Sequence, residues 1–308
     1  MRALVTGATG FVGPYLLARL DRPVILSRGA GRARAEFGGR DIEVHECDLN
    51  AGPPSADALR GIDAVFHLAG ESVAGGRWTK KKKERIRDSR VNGTRHLVDA
   101  LAQLPAGQRP RVFVSASAVG YYGPRGEETL TEQSAPGDDY LSDVCVQWER
   151  EAARAAELGI RAAMLRIGIV LGPRGGALQK MLPPFKLGLG GRLGNGRQWM
   201  PWIHVEDLAA MFLHVAITDT LRGPVNAVAP QLVQNREFTK ALAKELHRPA
   251  FMPAPYLGLR LLFGEFAQVL FASQKVEPRL AVASGFNYRY PQLDGALHAA
   301  LSDQRGDS

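Results

Sequence analysis

The chain has 308 residues, 45% of them hydrophobic and 23% charged. That composition excludes a disordered chain and leaves room for one large or two smaller domains. Its 39 basic and 31 acidic residues give a net charge of +8. The surplus is local: Arg77 to Arg90 contributes +6, Arg28 to Arg40 contributes +3, and the remainder sums to −1. A general polyanion-coating role, nucleic acid included, is therefore not expected. Cys47 and Cys145 make neither a disulfide framework nor a zinc pattern, and no metal site is expected. No apolar run reaches the ~18 residues of a membrane span. The opening RALVTGATG lacks the features of a signal peptide. The expected compartment is the cytoplasm.

In chain order, ALVT (3–6) reads as a strand entering a glycine-rich turn, and Phe11 to Leu20 as a helix. Strands follow at 23–27, 42–46, 63–69 and 111–117, with a long helix at 78–104 between the last two. A helix at 140–158 leads into the strand RAAMLRIGIV (161–170). This alternation predicts an α/β fold, a Rossmann-type doubly wound parallel sheet covered on both faces. Beyond residue 170 glycine and proline become frequent. Residues 172–202 read as a short helix with irregular segments, 203–217 as a helix and 225–229 as a strand. Residues 237–246 and 256–274 read as helices. The order predicts a core of residues 1–170 and 203–230, and a smaller C-terminal substrate lobe of 171–202 and 231–308.

The sharpest motif is TGATGFVG (6–13), which places Gly7, Gly10 and Gly13 between the first strand and the first helix. Such a triplet allows a tight turn, close approach of backbone to a pyrophosphate, and close packing of helix on strand. The helix N-terminus adds unpaired N–H groups. The second strand ends in Ser27-Arg28, where NAD-binding versions carry an acidic residue for the ribose 2′-hydroxyl. A guanidinium pairs with a 2′-phosphate that a carboxylate would repel, so NADP(H) is the expected cofactor. Asp48 and Leu49, after the third strand, are candidate adenine contacts.

TGATGFVG, the Asp-Leu at 48–49, HLAG (67–70) and SASAVGYYG (115–123) together resemble the extended short-chain dehydrogenase/reductase superfamily, which includes nucleotide-sugar epimerases. WEREA (148–152), RIGIVLGPRGGAL (166–178) and QKVEP (274–278) narrow the resemblance to its atypical "epimerase family protein" branch, across essentially the whole chain. The branch has also carried a SulA-type cell-division label. The resemblance implies cofactor contacts from Gly7, Thr9, Gly10, Phe11, Val12, Gly13, Ser27 and Arg28. It also implies that Leu68, Ala69 and Gly70 line the nicotinamide-ribose side.

The superfamily's usual chemistry needs a Tyr and a Lys four residues apart on one helix face. Aligned on WEREA, those positions hold Leu141 and Cys145, so the pair is absent. Ser117 matches the superfamily's catalytic serine. Tyr121 and Tyr122 are candidate proton donors, although a tyrosine in that role needs a cation nearby. Arg90 and Arg166 are candidate clamps for cofactor phosphate or an anionic substrate, with structural ion pairs as the alternative. Glu71 is a candidate acid or ribose ligand. On the substrate side, Gln198, Trp199, Trp202 and His204 cluster in a glycine-rich segment that suits a planar or sugar-like ligand. Lys80 to Lys83 read as a solvated helix face.

Two functions follow as expectations. One is an NADP(H)-dependent oxidoreductase or epimerase-like enzyme acting on a carbonyl/alcohol or nucleotide-sugar-like small molecule. The other is a catalytically silent NADPH-binding scaffold or sensor, linked by the branch's other label to cell division. The sequence is silent on oligomeric state; the resemblance implies a homodimer through the long helices, which is common in similar proteins.

Overall fold

The structure, a computed structural model, describes residues 1–74, 76–173 and 175–302. Its central sheet is built from β1 (Ala3–Thr6), β2 (Val24–Ser27), β3 (Glu43–Glu46), β4 (Ala64–His67) and β5 (Val112–Ala118). After the short β6 (Thr129–Leu130) come β7 (Arg161–Ile167), β8 (Ile169–Leu171), β9 (Trp202–His204) and β10 (Gly223–Ala227). A final short strand is β11 (Lys275–Val276). The helices are α1 (Gly13–Leu17), α2 (Ala30–Phe37), α3 (Lys80–Ala102), α4 (Tyr140–Ala153), α5 (Gly176–Lys186) and α6 (Val205–Ile217). The last five are α7 (Asn235–Leu246), α8 (Tyr256–Phe263), α9 (Ala267–Phe271), α10 (Arg279–Ala283) and α11 (Leu293–Ser302).

Seven strands form one parallel sheet in the order β10-β7-β5-β4-β1-β2-β3. Both faces are covered, which is why the inner strands β1, β4 and β5 are mainly apolar and buried along nearly their whole length; the edge strand β3, EVHE, is exposed at both ends. Val5, Ile25, Phe66 and Val114 face Leu16, Leu208 and Phe212, from α1 and α6. Leu4, Val65 and Phe113 face Leu97, Val98 and Leu101 of α3. The order reverses at β1 and β4: the chain runs from β1 out to β3, then returns to the other side of β1. A crevice opens at such a reversal, beyond the carboxyl ends of the strands.

Four expected elements differ. The helix expected from Phe11 to Leu20 closes after Leu17, where Arg19 N–H donates to the Leu16 carbonyl and the turn tightens. The strand expected over 161–170 breaks at Gly168, because the Pro201 carbonyl crosses it and accepts from Ile169 N–H at 2.7 Å. A Cβ at Gly168 would lie 2.6 Å from that oxygen. Ile203 and His204, expected to open a helix, pair with β8 instead, together with Trp202. The helix expected over 256–274 is divided at Gly264, which sits at φ +62°.

Leu171, Leu178, Trp202, Phe238 and Leu297 form a third apolar cluster, the interior of the smaller lobe. The expected boundary at 231 is crossed twice by later residues. β11 pairs with β6, and Ala281 of α10 lies in the main core. No helix among the described residues is long and apolar enough to cross a membrane.

Candidate active site and cofactor groove

The glycine-rich loop of residues 7–13 sits in the crevice between β1 and β4. Gly7 takes φ +71°, and a Cβ there would lie 2.8 Å from Leu68 and Ala69 backbone atoms. Gly10 N–H donates to the Gly7 carbonyl at 2.9 Å and closes the turn. A Cβ at Gly13 would lie 1.9 Å from the Ala8 carbonyl, so only glycine lets α1 start against the loop. Thr9 lies half-buried in the loop, and Val12 occupies the position before α1. The Phe11 ring is approached by Gly172, Gly175 and Gly176; a Cβ at Gly175 or Gly176 would lie within 2.7 Å of its carbons. Those glycines were legible only as a glycine-rich stretch.

Ser27 and Arg28 end β2 on the same edge, and the Ser27 hydroxyl accepts from Gly29 N–H at 3.3 Å. Arg28 is exposed, and its charge helps hold the Glu71 carboxyl below its ordinary range. Arg34, nearby, is committed to the Val44 carbonyl. Asp48 is exposed and accepts from Asn50 N–H at 3.0 Å, an Asx turn. Leu49 differs from the adenine-contact expectation: its side chain is buried in the core against α3.

At the end of β4 a row of buried groups fixes the Leu68-Ala69-Gly70 corner. Ala69 N–H donates to Thr6 Oγ1, which also bonds His67 Nδ1 at 2.7 Å, while His67 Nε2 meets Thr94 Oγ1 at 2.9 Å. Complete burial pushes the His67 pKa down to about 4. The unfolded chain therefore binds a proton between about pH 6.5 and 4 that the folded chain does not. Stability is full above the unfolded pKa and is lost as pH falls through this window, by about 3 kcal/mol at most. Urea unfolding from pH 7 to 4 should show that loss, and His67→Asn should flatten it. The motif drew attention to this segment, but nothing in it singled out His67.

Arg90 reaches this corner from α3. Its Nη1 donates to the Glu71 carbonyl at 3.0 Å, and the guanidinium lies over the Trp148 ring at 5.1 Å. A Cβ on Gly70 would lie 3.3 Å from Arg90 Cζ. Glu71 is not an open acid. Its carboxylate pairs with Lys82 at 2.6 Å, and that hydrogen bond chiefly lowers its pKa. Lys82 is thus buried, against the expectation of a solvated tetralysine face. Lys80 and Lys83, with Trp78, Glu84, Arg87, Tyr140 and Glu265, line a pocket of about 380 Å³.

Ser117 and Arg166 lie opposite one another in register on β5 and β7, and Asn226 lies opposite Arg166 on β10. Parallel register puts all three on one face. Arg166 is 2% exposed and grips both oxygens of Glu149 at 2.8 Å. Its Nη1 donates to Tyr122 Oη and the Glu132 carbonyl. The expected cofactor clamp is therefore corrected: Arg166 is spent on a buried ion pair. The paired Glu149 carboxylate is acceptor-only, so the 2.6 Å bond from Ser117 Oγ fixes the serine as donor. Glu149 follows Cys145 by one helical turn of α4, and it lies in the WEREA segment on which the alignment rests.

Tyr122 is buried, donates to Asn226 Oδ1 at 2.6 Å, and has its pKa pushed up to about 12 by burial. Tyr121 is half-exposed, with its ring 3.4 Å from the Arg166 guanidinium. Leu141 and Cys145 pack on Gly120. Burial pushes the Cys145 thiol up to about 12, so it stays neutral.

The substrate cluster is not assembled as expected. Trp202 is 1% exposed in the lobe interior, its Nε1 donating to the Gln231 carbonyl. His204 caps α6 by accepting from Glu206 N–H, and its ring packs at a tilt against Tyr290, 4.1 Å between centroids. Gln198 is buried and donates to the Leu193 carbonyl. Trp199 is half-buried and donates to Glu127 at 2.8 Å. Missed by sequence was Gln274, whose amide donates to the Val119 and Gly123 carbonyls and ties the later chain to the Tyr121 loop.

Residues 3–226 match the NAD dependent epimerase/dehydratase family. The chain belongs to that family. Residues 254–300 match a domain of unknown function, DUF1731. The "Epimerase family protein SDR39U1 homolog, chloroplastic" of Arabidopsis thaliana is 38% identical, over 98% of this chain and 87% of that protein. Epimerase family protein YfhF of Bacillus subtilis is also 38% identical, over 99% of each. Among solved structures, the human epimerase family protein SDR39U1 (isoform 2) with NADPH superposes with a TM-score of 0.84 at 33% identity. The match covers 98% of this chain and 100% of the human one. The branch read from the motifs is thereby confirmed, as is the Rossmann-type sheet.

Proposed function

We propose that this chain binds NADP(H) across the β1–β4 crevice as an oxidoreductase or epimerase-like enzyme. Its substrate would be a carbonyl/alcohol or nucleotide-sugar-like molecule. The observation that carries the cofactor reading is the pairing of two features on one sheet edge. A glycine cradle admits no side chain at Gly7 or Gly13, and an exposed Arg28 ends β2 where a carboxylate would favour NAD(H). The crystallisation of the human relative with NADPH supports it.

Gly7, Gly10 and Gly13 would hold the pyrophosphate, Ser27 and Arg28 the 2′-phosphate, and Leu68 to Gly70 with Arg90 the nicotinamide-ribose side. When bound, the cofactor supplies or accepts a hydride. Tyr121 would give the substrate oxygen its proton; the Arg166 guanidinium lies against its ring. Ser117, with its proton committed to Glu149, offers only lone pairs and would accept from a substrate hydroxyl. Lys80 would attract an anionic part of the substrate into the pocket it shares with Trp78 and Tyr140, where Lys83 is paired with Glu265 and Arg87 with Asp88.

NADPH should quench tryptophan fluorescence at lower concentration than NADH. Arg28→Asp should weaken NADPH at least about tenfold and leave NADH unchanged; equal affinities in the wild type would sink this reading. For catalysis the readout is NADPH consumption over a carbonyl and nucleotide-sugar panel. Tyr121→Phe should lower any turnover by about 100-fold or more while keeping NADPH affinity. The scaffold reading is favoured by Leu141 and Cys145 in the usual catalytic positions. Tight NADPH binding without turnover on any panel member would select it.

A further inference from the structure

We propose that the surface formed by residues 186–192 and 248–263 docks on an anionic lipid bilayer. α8 is a helix with no buried residue, whereas a surface helix ordinarily hides an apolar stripe. Leu257, Leu261 and Leu262 are 71%, 77% and 68% exposed. Leu187, Leu189 and Phe251 beside them are 75%, 57% and 75% exposed. The two segments are one surface, because Ala254 N–H donates to the Arg192 carbonyl and Gly194 N–H to the Ala254 carbonyl. The C-terminal end of α8 is held by Arg77, which donates to the Leu261 carbonyl at 2.9 Å. An apolar patch of this kind marks an interaction surface.

Charge selects the partner. The two segments contain Lys186, Arg192, Arg248 and Arg260 and not one Asp or Glu. All four cations are exposed, and none is in an ion pair among the described residues. Leucines and a phenylalanine can enter the boundary between head groups and acyl chains while the cations meet anionic head groups. A second copy of the same surface would set these cations against one another with no carboxylate to separate them.

The test is co-sedimentation of the whole chain with phosphatidylcholine vesicles, alone or with about one quarter phosphatidylglycerol. Binding is expected to the anionic vesicles, to weaken as salt rises, and to be much lower on phosphatidylcholine alone. Leu257→Ser/Leu261→Ser should lower it about tenfold or more, and Arg260→Ser about fivefold. Melting temperature and NADPH affinity should stay at wild-type values in both variants, so that a misfolded variant is recognised. Equal binding to both vesicle types, no binding to either, or variants that bind like wild type would overturn the proposal. A dimer that dissociates on Leu257→Ser/Leu261→Ser, without vesicle binding, would assign the surface to a second copy and also overturn it.

Discussion

Glu149→Ala is expected to destabilise the protein by about 3–5 kcal/mol, the cost of leaving one member of a buried ion pair alone. Glu149 and Arg166 are 8% and 2% exposed. Removing the carboxylate leaves a guanidinium with only Tyr122 Oη and the Glu132 carbonyl as acceptors. The loss is a large part of a typical stability of about 5–15 kcal/mol. A lowered urea midpoint is the readout. A matched pair of apolar residues, Glu149→Leu with Arg166→Met, should recover much of the loss, because it removes both desolvation penalties together. If Glu149→Ala unfolds at the wild-type midpoint, the network does not hold these strands. The variant also frees the Ser117 proton, so any change in ligand preference at Ser117 should accompany the stability loss.

The central sheet was legible because its inner strands are buried on both faces and read as mainly apolar runs. The break at Gly168 was not, because its cause is the Pro201 carbonyl, which approaches from a distant segment. The phosphate loop was legible because backbone geometry demands glycine at Gly7 and Gly13. Arg166 was found as a charged residue ending an apolar strand, but its role depends on Glu149, which only the packing of α4 brings to it. Trp202 and His204 misled for a related reason. Large side chains in a glycine-rich segment suit a ligand pocket or a small lobe's interior, and here Trp202 faces Leu178 and Leu297 within one apolar cluster. Lys82 shows the same limit. Four lysines in a row cover every face of a helix, and the chain alone does not say which face meets Glu71.

Gly13→Ala and Gly10→Ala should separate folding from cofactor binding within one loop. A methyl at Gly13 would stand 1.9 Å from the Ala8 carbonyl oxygen and 2.6 Å from Ala8 Cα. These are backbone atoms that cannot rotate aside, so α1 must move off the loop. The expected cost is about 1–3 kcal/mol of stability, as for overpacking in a core, together with at least about 100-fold in NADPH affinity. At Gly10 the nearest obstacle is the Gly7 carbonyl at 3.0 Å, and the residue is otherwise exposed. The protein alone can yield there by a few tenths of an ångström, so the urea midpoint should hardly change. The same methyl would stand where a pyrophosphate must approach the backbone, and NADPH affinity should fall by about tenfold or more. Urea unfolding and fluorescence titration of both variants check the contrast. If Gly10→Ala binds NADPH like wild type, the cofactor does not lie against this turn. If Gly13→Ala keeps wild-type stability, the contact between α1 and the loop is softer than its geometry requires.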